Sequence, residues 1–127
     1  MAKVLVIAEH DGNALNPSTA KVVACAASLG SPEIDILVLG SGISSVATEA
    51  AAIDSVARVL TVDREENLNP VTAILAPQIV ALAGAYSHVF GPSTTFGRDL
   101  MPRVAALMGV NQISDIVYAQ QPCHLID

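Results

Sequence analysis

Short apolar runs that alternate with helix-like segments constrain this chain more than any other feature. These runs lie at 3–8, 34–39, 58–62, 87–90 and 113–118. Apolar runs of about four to eight residues are typical of strands buried on both faces. Helices that connect such strands produce parallel sheets covered on both sides. The alternation predicts an α/β fold of three αβα layers, a Rossmann-like doubly wound parallel sheet of five strands in the order 3-2-1-4-5.

The segments between the strands carry helix start signals. Asn16 followed by Pro17 fits an N-cap with proline at the first helical position, and Asn69 followed by Pro70 repeats the arrangement. Two further helices are predicted, after the second and the fourth strand. The expected total is therefore four helices for five strands, which suits one doubly wound domain.

Composition and charge exclude several classes of protein. The chain has 127 residues, the size of one domain, and 52% of them are hydrophobic, which excludes intrinsic disorder. Its net charge of -6 supplies no basic patch for nucleic acid and opposes binding to anionic membranes. Gly, Pro and charged residues interrupt every apolar run, so no membrane insertion is expected. Only 14% of residues are charged, so we expect part of the exterior to be covered by another chain or domain.

The two cysteines are too few for a disulfide framework. Cys25 lies in a run of small apolar residues and is interpreted as a core residue. Cys123 precedes His124, but two ligands are too few for a metal site, so no metal is expected. Free thiols would fit a reducing compartment. Because the first strand begins at Lys3, no signal peptide is expected.

The loops after the first and fourth strands form the candidate binding region. Ligands of open α/β sheets bind beyond the carboxyl ends of strands where the strand order reverses, and the predicted order reverses between these two strands. Hydroxyl groups, a glycine and an arginine at a helix start are suited to holding an anion. The candidate cofactor-binding residues are His10, Ser93, Thr94, Thr95 and Arg98.

This binding signal is weak because no glycine-rich nucleotide motif accompanies it. The hydroxyl residues Ser93, Thr94 and Thr95 are better explained as capping and turn residues. His10 precedes Asp11, but neighbouring residues rarely point at one another, and neither a nucleophile nor a pair of carboxylates accompanies them. We therefore predict no catalytic residue and no enzymatic activity for this chain.

Long stretches of the chain resemble the alpha subunit of electron transfer flavoprotein. The longest is YSHVFGPSTTFGRDLMPRVAAL at 86–107, which combines a strand, a loop and a helix in one order. Shorter stretches at 4–10, 13–19, 49–52 and 112–116 also resemble this family. The resemblance continues to about residue 119.

The resemblance implies an electron carrier made of two subunits. In this family the alpha subunit pairs with a beta subunit, and the heterodimer carries one FAD. It accepts electrons from acyl-CoA and other dehydrogenases and passes them to a quinone oxidoreductase. The chain is similar to the first of two alpha-subunit domains, and the second domain holds most of the flavin. The resemblance therefore implies a non-catalytic scaffold and subunit interface, with no cofactor bound to this chain alone.

The resemblance also sets the expected boundaries and location. Residues 1–119 correspond to the family's N-terminal, adenine-nucleotide-hydrolase-like domain. Residues 120–127 lack the motifs of the flavin domain and are interpreted as a tail or the start of a linker. No flavin-binding residue of the family is therefore transferred to this chain. The family implies a cytoplasmic protein in bacteria, or a mitochondrial matrix protein if a transit peptide has been removed.

Two other expectations stay open at this point. If an apolar face of the domain is left uncovered, the isolated chain is expected to form a symmetric homodimer. The alternative function is a stand-alone nucleotide-binding domain of the universal-stress type. A second alternative function is a hydrolase or ligase with an ATP-pyrophosphatase-like fold. The loop after the first strand lacks the Ser-Gly-Gly type of sequence that such an enzyme needs.

Overall fold

The structure, a computed structural model, describes residues 3–28, 32–69, 71–110, 112–118 and 121–126. The helices are α1 (Ser18–Ala27), α2 (Ser44–Ala51), α3 (Thr72–Ala83) and α4 (Thr95–Met108). The strands are β1 (Lys3–Ile7), β2 (Glu33–Gly40), β3 (Val56–Asp63), β4 (His88–Pro92), β5 (Gln112–Tyr118) and β6 (Gln121–Ile126). A short 3₁₀ turn, Glu65–Asn67, follows β3.

The first four strands form a parallel sheet, as the sequence predicts. β1 lies in the middle and pairs in parallel with β2 and β4, and β3 pairs in parallel with β2. The α/β class, the four helices and the order β3-β2-β1-β4 are confirmed. The two loops chosen as the candidate binding region therefore do follow neighbouring strands.

Beyond β4 the predicted strand order is wrong. The sheet has the order β3-β2-β1-β4-β6-β5, so the sixth strand lies between the fourth and the fifth. β6 pairs antiparallel with both neighbours. Because two antiparallel pairings restore the direction, β5 still runs parallel to β4. The sheet is thus mixed and six-stranded, not purely parallel and five-stranded.

The sequence of β6 explains why it was not predicted. Its residues, QPCHLI, include a proline and two polar side chains, which weaken any strand signal. Tyr118 pairs with Gln121, so only two residues connect β5 to β6, as in a tight hairpin. The segment interpreted as a tail therefore contains a strand of the sheet. The domain boundary at residue 119 stays a prediction.

Helices cover both faces of the sheet, which confirms the three layers. The core beneath α1 and α2 takes one set of alternate strand residues, including Val4, Val6, Ile34, Ile36 and Val38. The core beneath α3 and α4 takes the other set, including Leu5, Ile7, Leu37, Leu39 and Val89. This alternation follows from the two-residue repeat of a strand. Because each face of β1 and β2 is covered by helices, most side chains on both faces of these strands are apolar.

Cys25 occupies the core position that the sequence predicts, and it is completely buried. Its sulfur is in a disulfide bond, so the expectation of free thiols is wrong. The argument from free thiols to a reducing compartment therefore fails. The side chains of Cys123 and His124 lie outside the described part of the structure.

The helix starts show which capping predictions were correct. Asn16 Oδ1 accepts a hydrogen bond from the Ser18 backbone N–H at 2.9 Å, but α1 begins at Ser18 and its N-cap is Pro17, so the helix starts one residue later than predicted. α3 starts at Thr72, later than the pair Asn69–Pro70 suggests, and Pro70 lies outside the described residues. None of the helices in the described residues is long and apolar enough to cross a membrane.

Candidate functional site

A glutamate lies at the point where β1 ends and the two candidate loops meet. Glu9 Oε1 accepts a hydrogen bond from Thr94 Oγ1 at 2.8 Å and another from Ser18 Oγ at 3.2 Å. Ser18 is the first residue of α1, and Thr94 is the N-cap of α4. One carboxylate therefore joins the starts of two helices. We call these three residues the Glu9 bridge.

The backbone of Glu9 is also fixed. Its N–H donates to Thr19 Oγ1 at 3.2 Å, and its carbonyl accepts from the Asn16 N–H at 2.8 Å. Thr19 is completely buried. Helix starts carry unpaired N–H groups and a partial positive charge, so they favour an anion. In this chain the hydroxyl groups of Ser18 and Thr94 at these two helix starts donate to the chain's own carboxylate, Glu9.

The first turn of α4 packs directly on the end of β4. Thr94 Oγ1 accepts a hydrogen bond from the Gly97 N–H at 3.3 Å, which caps the helix. A Cβ atom at Gly97 would overlap the carbonyl oxygen of Pro92. In phosphate-binding loops a glycine makes room for the ligand. Here Gly97 makes room for the protein's own backbone.

His10, a predicted site residue, connects the loop after β1 to the end of β2 by hydrogen bonds. Its Nδ1 accepts a hydrogen bond from the Gly12 N–H at 2.9 Å, and its Nε2 lies 2.7 Å from the Leu39 carbonyl oxygen. Because a backbone N–H only donates, the ring proton of the neutral imidazole lies on Nε2 and points to Leu39. Both ring nitrogens are thus used within the protein, which favours a structural role for His10.

Asp11 forms a turn beside His10. Its Oδ1 accepts hydrogen bonds from the N–H groups of Ala14 and Asn13, at 2.8 and 2.9 Å. These backbone hydrogen bonds, with that from Ala14 the stronger, lower the pKa of Asp11. The pattern is that of an Asx turn, which explains an aspartate here without any catalytic role.

The other predicted site residues lie around the start of α4. Ser93 is half-buried, Thr95 is the exposed first residue of the helix, and Arg98 is exposed in its first turn. Among the five predicted residues, Thr94 takes part in the Glu9 bridge and His10 contacts the end of β2. Sequence reasoning missed Glu9 itself. An acidic residue directly after a buried strand, opposite two helix starts with hydroxyl residues, was the available signal.

A cavity of about 170 Å³ opens at the carboxyl ends of β1 and β2. Its apolar lining includes Leu39, Leu68, Leu75 and Phe96, and its polar members are His10, Asp11, Ser41 and Asn67. His10 already contacts Leu39, and Asn67 donates to the Val62 carbonyl oxygen and pairs with Gln78. Among the described residues, no three His, Cys, Asp or Glu side chains cluster to hold a metal.

A second polar cluster, which the sequence analysis missed, lies at the opposite end of the sheet. Asp35 in β2 is completely buried. Its Oδ2 accepts hydrogen bonds from Arg58 Nη2 at 2.7 Å and from the Tyr86 hydroxyl at 2.6 Å. A bulge in β3 at this point brings Arg58 opposite Asp35. A carboxylate inside the apolar run 34–39 was the signal that could have revealed it.

The cluster shifts the pKa values of its members in the directions that pairing requires. Burial alone raises the pKa of Asp35, but the hydrogen bonds from Arg58 and Tyr86 outweigh it, and the net pKa lies below the ordinary value. Burial and the hydrogen bond to Asp35 raise the pKa of Tyr86 to about 12. Lys3 Nζ lies 5.4 Å from the centre of the Tyr86 ring. The cluster is an ion pair between a completely buried carboxylate and a half-exposed guanidinium, and Asp35 does not line the cavity at the carboxyl ends of β1 and β2.

Comparison with known proteins shows which family this sequence belongs to. The model of the electron transfer flavoprotein domain matches residues 4–122. The chain is 42% identical over 119 residues to electron transfer flavoprotein subunit alpha of Pseudomonas aeruginosa, covering 94% of this chain and 38% of that protein. It is 39% identical over 119 residues to the mitochondrial alpha subunit of Dictyostelium discoideum, covering 88% of this chain and 34% of that protein.

A third relative agrees with these two. The chain is 40% identical over 114 residues to electron transfer flavoprotein subunit alpha of Paracoccus denitrificans, covering 89% of this chain and 36% of that protein. The chain thus spans between about a third and two-fifths of the length of these curated relatives. The chain belongs to the electron transfer flavoprotein family and corresponds to the N-terminal domain of the alpha subunit.

Proposed function

We propose that this chain is a non-catalytic scaffold and subunit interface of an electron transfer flavoprotein. It contacts a beta subunit and supports the domain that holds FAD. The complete heterodimer accepts electrons from acyl-CoA and other dehydrogenases and passes them to a quinone oxidoreductase. The support for this proposal is the family match over residues 4–122, together with relatives that are alpha subunits. The expected location is the cytoplasm in a bacterium and the mitochondrial matrix in a eukaryote.

The observation that carries the scaffold role is the Glu9 bridge. A domain that binds a dinucleotide leaves its helix starts open to the phosphates. In this chain Glu9 places a negative charge between Ser18 and Thr94, and a diphosphate at the same position would be repelled. The described residues at this crevice therefore do not fit the diphosphate of FAD. The flavin of the heterodimer is accordingly assigned to the rest of the complex.

A stand-alone nucleotide-binding domain remains the second candidate. The cavity at the ends of β1 and β2 favours it, because Phe96 and two leucines supply an apolar lining of the kind that a base ring needs. Against it stands the closed packing of Gly97 on Pro92, which leaves no phosphate loop at the start of α4. The two candidates therefore differ in whether this chain alone binds a nucleotide.

Co-expression with the beta subunit of the same organism tests the proposal. We expect a one-to-one complex of the two chains on gel filtration. We also expect that the isolated chain carries no stoichiometric flavin in its absorbance spectrum and shows no calorimetric heat with AMP or ATP. Micromolar nucleotide binding by the isolated chain without any complex would establish the second candidate instead.

A further inference from the structure

The disulfide of Cys25 has no part in the scaffold role proposed above. Cys25 lies in α1, is completely buried, and its sulfur is bonded to a second sulfur. The described residues contain no free cysteine. The sequence has one other cysteine, Cys123, which belongs to β6. Within a single chain, Cys123 is therefore the available partner.

The register of the sheet places position 123 on the face that α1 covers. Phe90 in β4 belongs to the same core as Cys25. Strand residues two apart lie on the same face, so Pro92 is on that face as well. In the antiparallel pairing of β4 with β6, Pro92 lies opposite Cys123. Because directly opposite residues share a face, position 123 lies on the α1 side of the sheet, and α1 packs on β6.

The hairpin of β5 and β6, the β5–β6 hairpin, is attached to the rest of the sheet through β6. Its non-covalent attachment is weakened by Pro122, which has no N–H for the ladder. A bond between residues 25 and 123 closes a loop that contains most of the chain. In the chain-entropy account, disulfides that close long loops stabilise a fold the most. Such a bond would therefore contribute strongly to holding the hairpin in place.

The expected location makes a permanent disulfide unusual. The proposed function places the chain in a bacterial cytoplasm or in the mitochondrial matrix. Where glutathione and thioredoxin keep thiols reduced, protein disulfides are rare, and those that occur are usually transient and catalytic or redox-sensing. A disulfide in such a compartment is expected to open and close. This step alone rests on the proposed function.

From these observations we propose that Cys25 and Cys123 form a reversible redox cross-link that attaches the β5–β6 hairpin to α1. A thiolate of a small thiol such as glutathione attacks one sulfur, and the other sulfur leaves as a thiolate. A second glutathione attacks the glutathione sulfur of this mixed disulfide and releases the first cysteine. The two cysteines thus gain two electrons and two protons, and glutathione becomes its disulfide. The reverse exchange, with glutathione disulfide as the oxidant, closes the bond.

The cross-link controls how firmly one edge of the sheet is covered. With the bond open, only non-covalent contacts hold the β5–β6 hairpin, so it detaches more often. Each detachment leaves the N–H and C=O groups along that side of β4 without their strand partners. The oxidation state of the two cysteines therefore sets how often the β4 edge is open.

The first test counts thiols in the purified chain. The chain is equilibrated with reduced glutathione or with glutathione disulfide, quenched with acid, unfolded, alkylated and weighed by mass spectrometry. We expect two alkyl groups after reduced glutathione and none after glutathione disulfide, with the mass of a single chain. A bond that stays closed in excess reduced glutathione would overturn its reversibility. A disulfide-linked dimer, or glutathione attached to each cysteine, would overturn the pairing of Cys25 with Cys123.

The second test compares the unchanged chain with Cys123→Ala, which keeps Cys25 in the core and cannot form the cross-link. We expect reduction to lower the unfolding temperature of the unchanged chain by at least about 5 °C. The same reductant is expected to leave the unfolding temperature of Cys123→Ala unchanged. An unchanged chain that is equally stable with and without reductant would overturn the cross-link, whether or not the variant folds.

Hydrogen exchange locates the effect of reduction. We expect amide exchange in β6 to become at least about tenfold faster when the unchanged chain is reduced, and exchange in β2 to stay the same. Equal acceleration in β2 and β6 would show that the bond stabilises the whole domain, and would overturn its specific role at the hairpin.

The outcomes separate this inference from the proposed function, because the measurements need only this chain. If the chain forms a complex with the beta subunit and the bond does not exchange, only the inference fails. If the bond exchanges and no complex forms, the proposed function fails, and the cross-link is supported by the exchange itself.

Discussion

The two ends of the sheet each hold a carboxylate, and they hold it by different means. At the amino end Asp35 is completely buried and is paired with the guanidinium of Arg58 and the phenol of Tyr86. At the carboxyl end Glu9 is half-buried and accepts hydrogen bonds from two hydroxyl groups. One carboxylate therefore depends on a positive charge, and the other depends on helix starts and neutral donors.

The difference shows what each end of the sheet contributes. Asp35 connects β2 to β3 and to the entry of β4, so it stabilises strand pairing where no ligand is expected. Glu9 connects α1 to α4 at the end where ligands of this fold bind. The carboxylate at the amino end thus links strands, and the carboxylate at the carboxyl end links the starts of two helices. Four changes test this comparison.

Removing the buried carboxylate has the largest expected effect. Asp35→Ala leaves the Tyr86 hydroxyl without its acceptor and deprives Arg58 of its partner. Since Arg58 is half exposed and water can solvate it, we expect a loss of about 2–3 kcal/mol in the free energy of unfolding. Urea denaturation measures it. Asp54→Ala, at an exposed turn position, is the control and is expected to change stability by less than about 0.5 kcal/mol. Equal losses in both variants would show that the cluster contributes nothing specific.

Breaking the Glu9 bridge is expected to destabilise the fold less than removing Asp35. Thr94→Ala removes the cap of α4 and one of the two hydroxyl donors to Glu9, so we expect the free energy of unfolding to fall by about 1–2 kcal/mol. Thr95→Ala, one residue further along, removes an exposed hydroxyl and is expected to be nearly neutral. The unfolding temperature of each variant is measured. A larger decrease for Thr95→Ala than for Thr94→Ala would contradict the hydrogen bonds of the Glu9 bridge.

Removing one donor from Asp35 comes next. Tyr86→Phe keeps the ring and deletes the hydroxyl, and we expect the free energy of unfolding to fall by about 1 kcal/mol. Because the pKa of Tyr86 is raised in the folded state, the contribution of its phenol to folding stability is present below pH 10 and is lost as pH rises through about 12. An ultraviolet pH titration of the unchanged chain and of Tyr86→Phe isolates the phenol. A Tyr86 phenol that ionises near its ordinary value of 10 would show that the hydrogen bond to Asp35 is absent in solution.

The acid dependence of stability gives the smallest expected signal. The pKa of Asp35 is lowered in the folded state, so the unfolded chain binds its proton more tightly. The stabilisation by ionised Asp35 is therefore complete above about pH 4 and is lost as pH falls through the lowered pKa. The stability difference between the unchanged chain and Asp35→Asn should stay constant from neutral pH to about pH 5 and narrow below it. A difference that widens on acidification would reverse the sign of the argument.

Sequence patterns predicted the parts of the fold in which one local signal dominates. The runs that became β1, β2 and β4 are mostly apolar and these strands are confirmed, whereas α1 starts one residue later than the pair Asn16–Pro17 predicts. The Asp63 carboxylate accepts hydrogen bonds from the Gly42 and Ile43 N–H groups before α2, a contact across twenty residues that no local pattern indicates.

The candidate site was harder to predict for the same reason. Thr94 and His10 were selected as ligand-binding residues because they lie after the correct strands, and the structure places them there. The contacts of Thr94 with Glu9 and of His10 with Leu39 could not be predicted from the sequence, because they depend on how the loops approach one another. Asp35 is conspicuous as a carboxylate in an apolar run, but its pairing with Arg58 could not be predicted, because that pairing requires a bulge in β3.

The insertion of β6 between β4 and β5 has a consequence for the order in which the domain folds. The hairpin of β5 and β6 is made of contacts close in sequence, and such hairpins form within about microseconds. The parallel sheet needs contacts between distant residues, such as β1 with β4, and forms more slowly. β5 reaches the sheet only through β6, so we expect the hairpin to attach to β4 as a preformed unit. We also expect this attachment to wait, during synthesis, until residues 121–126 have left the ribosome.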